Sequence, residues 1–81
     1  MNAVLLLSTN PGCQQKAYKS IKEILEEAKD HDVEIESVVH CFGRVDGVIV
    51  CQCKNLKEIN HFAEAFRREG LFHTETLIGV E

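Results

Sequence analysis

Hydrophobic and polar positions along this chain change their period four times, and each change marks an element. Residues Ala3 to Ser8 are continuously apolar and short, which predicts a strand buried on both faces, and Thr9-Asn10-Pro11 stops it. Asn10 is the expected cap of a helix with Pro11 at its first position. In that helix Ala17, Ile21, Ile24, Leu25 and Ala28 share one face of a 3.6-residue repeat. Lys16, Lys19, Lys22, Glu23, Glu26, Glu27 and Asp30 cover the other.

Val33 to Phe42 alternates and then becomes β-branched, Gly43-Arg44-Val45-Asp46 reads as a turn, and Gly47 to Cys53 returns as a strand, so the segment predicts a β-hairpin. Asn55 is the cap of a second helix, with Glu58 placed to reach back to it and an apolar stripe of Leu56, Ile59, Phe62, Ala63 and Phe66. Gly70 ends that helix after Arg67 and Arg68, and Leu71 to Val80 supplies a final strand.

The order is β-α-β-β-α-β. Right-handed crossovers then put strands one and three at the centre of an antiparallel four-stranded sheet with both helices on one face, a ferredoxin-like α+β fold of the dimeric α+β barrel type. Strand parity carries a further consequence. Ala3, Leu5 and Leu7 point to one face, Val4 and Leu6 to the other, and Ile49 and Cys51 oppose Val48 and Val50. Two helices cover one face only, so the second apolar face predicts a homodimer packed sheet against sheet.

Composition narrows the functional classes. The 81 residues read as a single domain, 1–81, with a small core, and 44% apolar and 27% charged residues are ordinary for a globular chain. A net charge of −4 without a run of Lys or Arg provides no basic stripe for a phosphate backbone, so no direct nucleic-acid partner is expected. The apolar start is too short for a membrane span and lacks the flanks of a secretory signal, so the expected setting is cytoplasmic, with the four cysteines as free thiols and no membrane partner.

Three of those cysteines lie in the hairpin, and a zinc site through Cys41, Cys51 and Cys53 is one reading. A turn centred on Arg44 and Val45 would set Cys41 opposite Val48, and Cys51 and Cys53 opposite Val38 and Glu36. Cys41 would then lie roughly 10 Å along the ladder from Cys51. No C-x-x-C spacing occurs, so packing as small hydrophobes is the expectation, with no metal site and no cofactor. Cys13, near a helix start, is either a reactive thiol or an incidental exposed one. His31, His40, His61 and His73 show no ligand spacing and read as ordinary histidines, although the helix-to-strand connection can bring His61 toward His73. Glu34 and Glu36 fall on one strand face and read as solvated. At the hairpin tip Arg44 and Asp46 sit between Gly43 and Gly47. One cation and one anion match the carboxylate and ammonium of an amino acid, while the same residues also make an ordinary charged turn.

Asn10-Pro11-Gly12 after the first strand, Gly43-Arg44-Val45-Asp46, and Thr74-Glu75-Thr76-Leu77-Ile78 together resemble the effector-binding C-terminal domain of the Lrp/AsnC (feast/famine) regulators, in its stand-alone form. The stretch from Pro11 to Gly43 is longer than in that family and Val45 stands where it has an aromatic residue; the longer spacing and Gly43-Arg44-x-Asp46 are also similar to the small Gly-Tyr-Asp domain family. The resemblance implies a non-enzymatic module that binds an amino acid or related metabolite at Gly43, Arg44, Asp46, Gly47, Thr74 and Thr76. It also implies dimers that assemble into a tetramer of dimers, and a role in transcription regulation through full-length regulators of the same family. The rival reading is a small monooxygenase-like enzyme that uses the cavity between sheet and helices, with His40 or His73 as proton carrier or ligand.

Overall fold

A computed structural model describes residues 1–41, 43–68 and 70–79, with the side chains of residues 14, 15, 17–20 and 29 left aside. The expected roles of Ala17 and Lys19 on the first helix, and of Phe42 and Val80 at strand ends, lie outside the described residues. The elements run β1 (Asn2–Thr9), α1 (Gln14–Glu26), a 3₁₀ turn (Glu27–His31), β2 (Val33–His40), β3 (Gly47–Cys53), α2 (Leu56–Arg67) and β4 (Phe72–Ile78). The sheet order is β2-β3-β1-β4, with antiparallel pairing throughout. This is the ferredoxin-like α+β fold that the pattern predicts.

The core is the face under the helices. Ala3, Leu5 and Leu7 of β1 and Ile49, Cys51 and Cys53 of β3 meet Ile21 and Ala28 from the first helical segment and Ile59, Phe62, Ala63 and Phe66 from α2. Phe62, Phe66 and Phe72 form edge-to-face pairs with centroids 5.3 and 5.8 Å apart, close to the preferred aromatic geometry. The α2 stripe is shifted round from the expected one: Leu56, at the first helical position, is half exposed, and Ala65 is buried. The buried arc centres on Phe62 and Phe66, which places Leu56 at its edge and turns Ala65 toward α1.

Two local readings are corrected. Asn10 does not cap α1, which begins at Gln14 with Cys13 before it and no side-chain cap. Asn10-Pro11-Gly12-Cys13 is instead a turn, closed by Cys13 N–H donating to Asn10 O at 3.1 Å. Gly12 has φ +81°, which a type II turn requires after proline and which only glycine takes without strain. Freed from capping, Asn10 ties the junction to the end of α2 by donating from its backbone N–H to Leu71 O (2.8 Å) and from Nδ2 to Gly70 O (2.6 Å). At α2 the expected cap is present, with Asn55 Oδ1 accepting from Glu58 N–H at 3.0 Å.

The hairpin register is the second correction. β2 stops at His40, opposite Gly47, so the tip is the longer segment 41–46. Val39 pairs with Val48, and Cys51 and Cys53 face Ile35 and Val33. A bulge at Glu36 shifts the ladder between Ile35 and Ser37; it keeps Glu36 in reach of Gln52 Nε2, which donates to Glu36 Oε1 at 3.0 Å.

Candidate functional site

The sheet face away from the helices carries Val4, Leu6, Val48 and Val50 near its middle, with Val39 and Leu77, 49% and 46% exposed, toward its edges. At one end of this face the hairpin tip folds over β1 and β4 and closes a cleft of about 210 Å³ lined by Leu6, Ser8, Arg44, Val45, His73 and Glu75. The walls follow from register: Leu6 is opposite Glu75 and Ser8 is opposite His73. The cleft therefore sets a guanidinium and a carboxylate around an apolar floor, with an imidazole and a hydroxyl beside them.

The tip is held to β1 by its own chain. Asp46 N–H donates to Leu7 O (2.8 Å), Cys41 N–H donates to Asp46 O (2.9 Å), and Ser8 Oγ donates to Arg44 O (3.1 Å). The part-buried Asp46 carboxylate accepts from Thr9 N–H through Oδ2 at 2.6 Å, a short charge-assisted bond. Gly43 bends the tip with φ +135°, whereas Gly47 has no such angle and is the buried first residue of β3, against Leu7.

These positions divide the six residues that the sequence reading grouped. Arg44 lines the cleft. Gly43 and Asp46 shape the tip and fasten it. Gly47, Thr74 and Thr76 lie on the opposite, helix-covered face, in register with Leu7 and Leu5, and Thr74 Oγ1 takes a hydrogen bond from Arg67 Nη1 at 3.2 Å. Glu75 is the cleft residue that reading passed over. Strand alternation identifies it: in the Thr-x-Thr stretch the middle residue shares the face of Leu6.

The thiols do not assemble. Cys51 and Cys53 are buried under the helices, Cys41 is half-buried in the tip, and all four cysteines are free. Cys51 Sγ approaches Ala3 O at 3.7 Å, and burial first, then the neighbouring Cys53 and Glu36, push its thiol up to about 11. Cys13 is half-buried and packs against the core rather than standing exposed. A larger apolar cavity, about 460 Å³, lies between the end of α1 and β2, lined mainly by Leu25, Ala28, Val33 and Ile35; neither His40 nor His73 reaches it. The His61 ring lies 6.1 Å from that of His31, beside Glu58, while His73 lines the cleft with Leu6. Among the described residues, no helix is long and apolar enough to cross a membrane.

No family model and no curated protein matches the chain. Solved structures do. The crystal structure of FFRP-DM1 is similar over 98% of this chain and 97% of that one, at 18% identity and a TM-score of 0.65. The 5-chloro-2-hydroxyhydroquinone dehydrochlorinase TftG from Burkholderia phenoliruptrix AC1100, in complex with 2,5-dihydroxybenzoquinone, is similar over 99% and 94% at 16% identity and a TM-score of 0.75. MtbAldR is similar over 99% of this chain but 52% of its own, at 12% identity and a TM-score of 0.70. At these identities the likeness establishes the ferredoxin-like fold.

Proposed function

We propose that this chain is a non-enzymatic binding module for an amino acid or a related zwitterion, of the stand-alone Lrp/AsnC effector-domain kind, working as a homo-oligomer. The observation that carries the reading is the cleft in which Arg44 and Glu75 face one apolar floor. Arg44 suits the ligand's carboxylate, Glu75 its ammonium, and Leu6 with Val45 an aliphatic side chain. The adjoining valine- and leucine-rich face is the surface a second copy would cover, which would turn an open cleft into a closed one. Dimers built this way can stack further and can join full-length regulators of the same family. The likeness to FFRP-DM1 and MtbAldR is in keeping with this role.

Native mass spectrometry with and without a mixture of the amino acids tests it. A ligand-dependent mass or assembly shift is expected, lost in Arg44→Ala and Glu75→Gln with the dimer retained; an assembly indifferent to every amino acid overturns the reading.

A second reading, a small enzyme with His73 as proton carrier, draws support from the place of His73 on the cleft wall and from the likeness to TftG. Under it, His73→Ala retains binding of 2,5-dihydroxybenzoquinone and loses turnover of 5-chloro-2-hydroxyhydroquinone, the first substrate probe.

A further inference from the structure

On the helical side of the sheet, away from the cleft, a second group of side chains converges. His31 closes the 3₁₀ turn, just before Asp32 reverses the chain into β2 with φ +52°. Glu58 lies in the first turn of α2, where the Asn55 cap fixes its backbone, and His61 follows three residues later. Residues at i and i+3 share a side of a helix, so Glu58 and His61 face His31 together. His31 Nδ1 is 3.9 Å from Glu58 Oε2, the two imidazole rings meet edge-on at 65°, and one donor atom from each of the three residues lies within 4.8 Å of the others.

We propose that His31, Glu58 and His61 form a binding site for a divalent transition-metal ion, Zn²⁺ by its donor set, that fastens the 3₁₀ turn to the start of α2. Two imidazoles and a carboxylate are the borderline nitrogen and oxygen donors that Zn²⁺ accepts, with a fourth position for water. Calcium and magnesium, which take oxygen donors, are disfavoured by the same set. At 3.9 Å the His31–Glu58 pair is longer than a hydrogen bond, so coordination need not break one between them. Tetrahedral bonds of about 2.0–2.1 Å put ligand atoms about 3.3 Å apart. The donors must therefore close by less than about 1.5 Å from their 4.8 Å limit. His61 is exposed and Glu58 and His31 are half-buried, so side-chain rotation supplies that movement and an ion has a path from solvent. Helix capping and the α2 register hide this site from linear spacing, because His31 stands far from the other two in sequence and joins them only through the fold.

The test titrates the full chain, thiols reduced, with Zn²⁺ and with Co²⁺ as a spectroscopic probe. One ion per chain is expected, with a rise in melting temperature that grows with Zn²⁺ concentration. Visible Co²⁺ bands are expected without the near-ultraviolet charge-transfer band of a thiolate ligand. Glu58→Gln and His61→Ala should each weaken binding at least tenfold. His61 is exposed and its variant is expected to keep the parent circular dichroism, so the result does not depend on whether His31→Ala folds. Absence of saturable binding overturns the site. So does binding that survives His61→Ala and Glu58→Gln, or a thiolate band that Cys41→Ser removes.

Discussion

Asp46→Ala separates a fastening role from a ligand-binding one. In the parent, Asp46 Oδ2 accepts Thr9 N–H at 2.6 Å in a part-buried setting. Truncation leaves that donor without its acceptor at the end of β1, while the two backbone bonds of Asp46, to Leu7 and from Cys41, remain possible. A hydrogen bond to a charged acceptor contributes about 1.5–3 kcal/mol, and an orphaned donor costs a similar amount, so the loss is about 2 kcal/mol. For a chain of 81 residues, each kcal/mol moves the melting temperature by roughly 4–8 °C, which gives a fall of about 8–16 °C. Asp46→Asn keeps an acceptor without the charge and should lose about half as much.

The assay is urea unfolding at a fixed protein concentration, because association shifts apparent stability by mass action; the midpoint should fall with the m-value unchanged. Amino-acid binding, carried by Arg44 and Glu75, should persist in the folded fraction. The reasoning is refuted if Asp46→Ala unfolds at the parent midpoint yet no longer binds amino acids, since the carboxylate would then serve the ligand and not Thr9.

Two further outcomes follow from the same structure. Cys51, 1% exposed, has its thiol raised from 9.0 to about 11; the fold favours the protonated form, so its contribution is complete below pH 9 and is lost as pH rises through 11, about 3 kcal/mol in all. Cys51→Ala should flatten that part of the stability curve, and equal losses in parent and variant would contradict it. Gly43→Ala should destabilise by about 1 kcal/mol because its φ of +135° strains a side chain, whereas Gly47→Ala should be nearly neutral because a Cβ there meets Leu7 and Val39 O at 3.8 Å; denaturant midpoints of the pair check the contrast.

Periodicity made the fold legible because burial decides it: alternation sorts Ala3, Leu5 and Leu7 onto one face and Val4 and Leu6 onto the other, whatever happens at the ends, and the helices cover the first. Ends were less legible, since they depend on competing hydrogen bonds of similar worth. Asn10 can cap a helix or lock a Pro-Gly turn, and the nearby carbonyls of Gly70 and Leu71, distant in sequence, decide for the turn. At the hairpin the same competition acts on one side only: β3 starts at Gly47 as the pattern predicts, but β2 stops at His40 and the ladder takes another register.

That displacement of the tip also changes which residues can work together. With β2 ending at His40, the loop 41–46 folds back on β1, where the bonds from Asp46 N–H to Leu7 O and from Ser8 Oγ to Arg44 O hold Arg44 over the open face beside Glu75 and His73, while the Asp46–Thr9 bond adds stability. A tighter turn on Arg44 and Val45 would have left Arg44 at the end of an extended hairpin, with no acidic partner across the sheet. The acid at the tip thus fastens the loop, and the acid on β4 lines the cleft with the cation. Removing Glu75 should therefore leave stability near the parent value while abolishing amino-acid binding, the inverse of the result expected at Asp46.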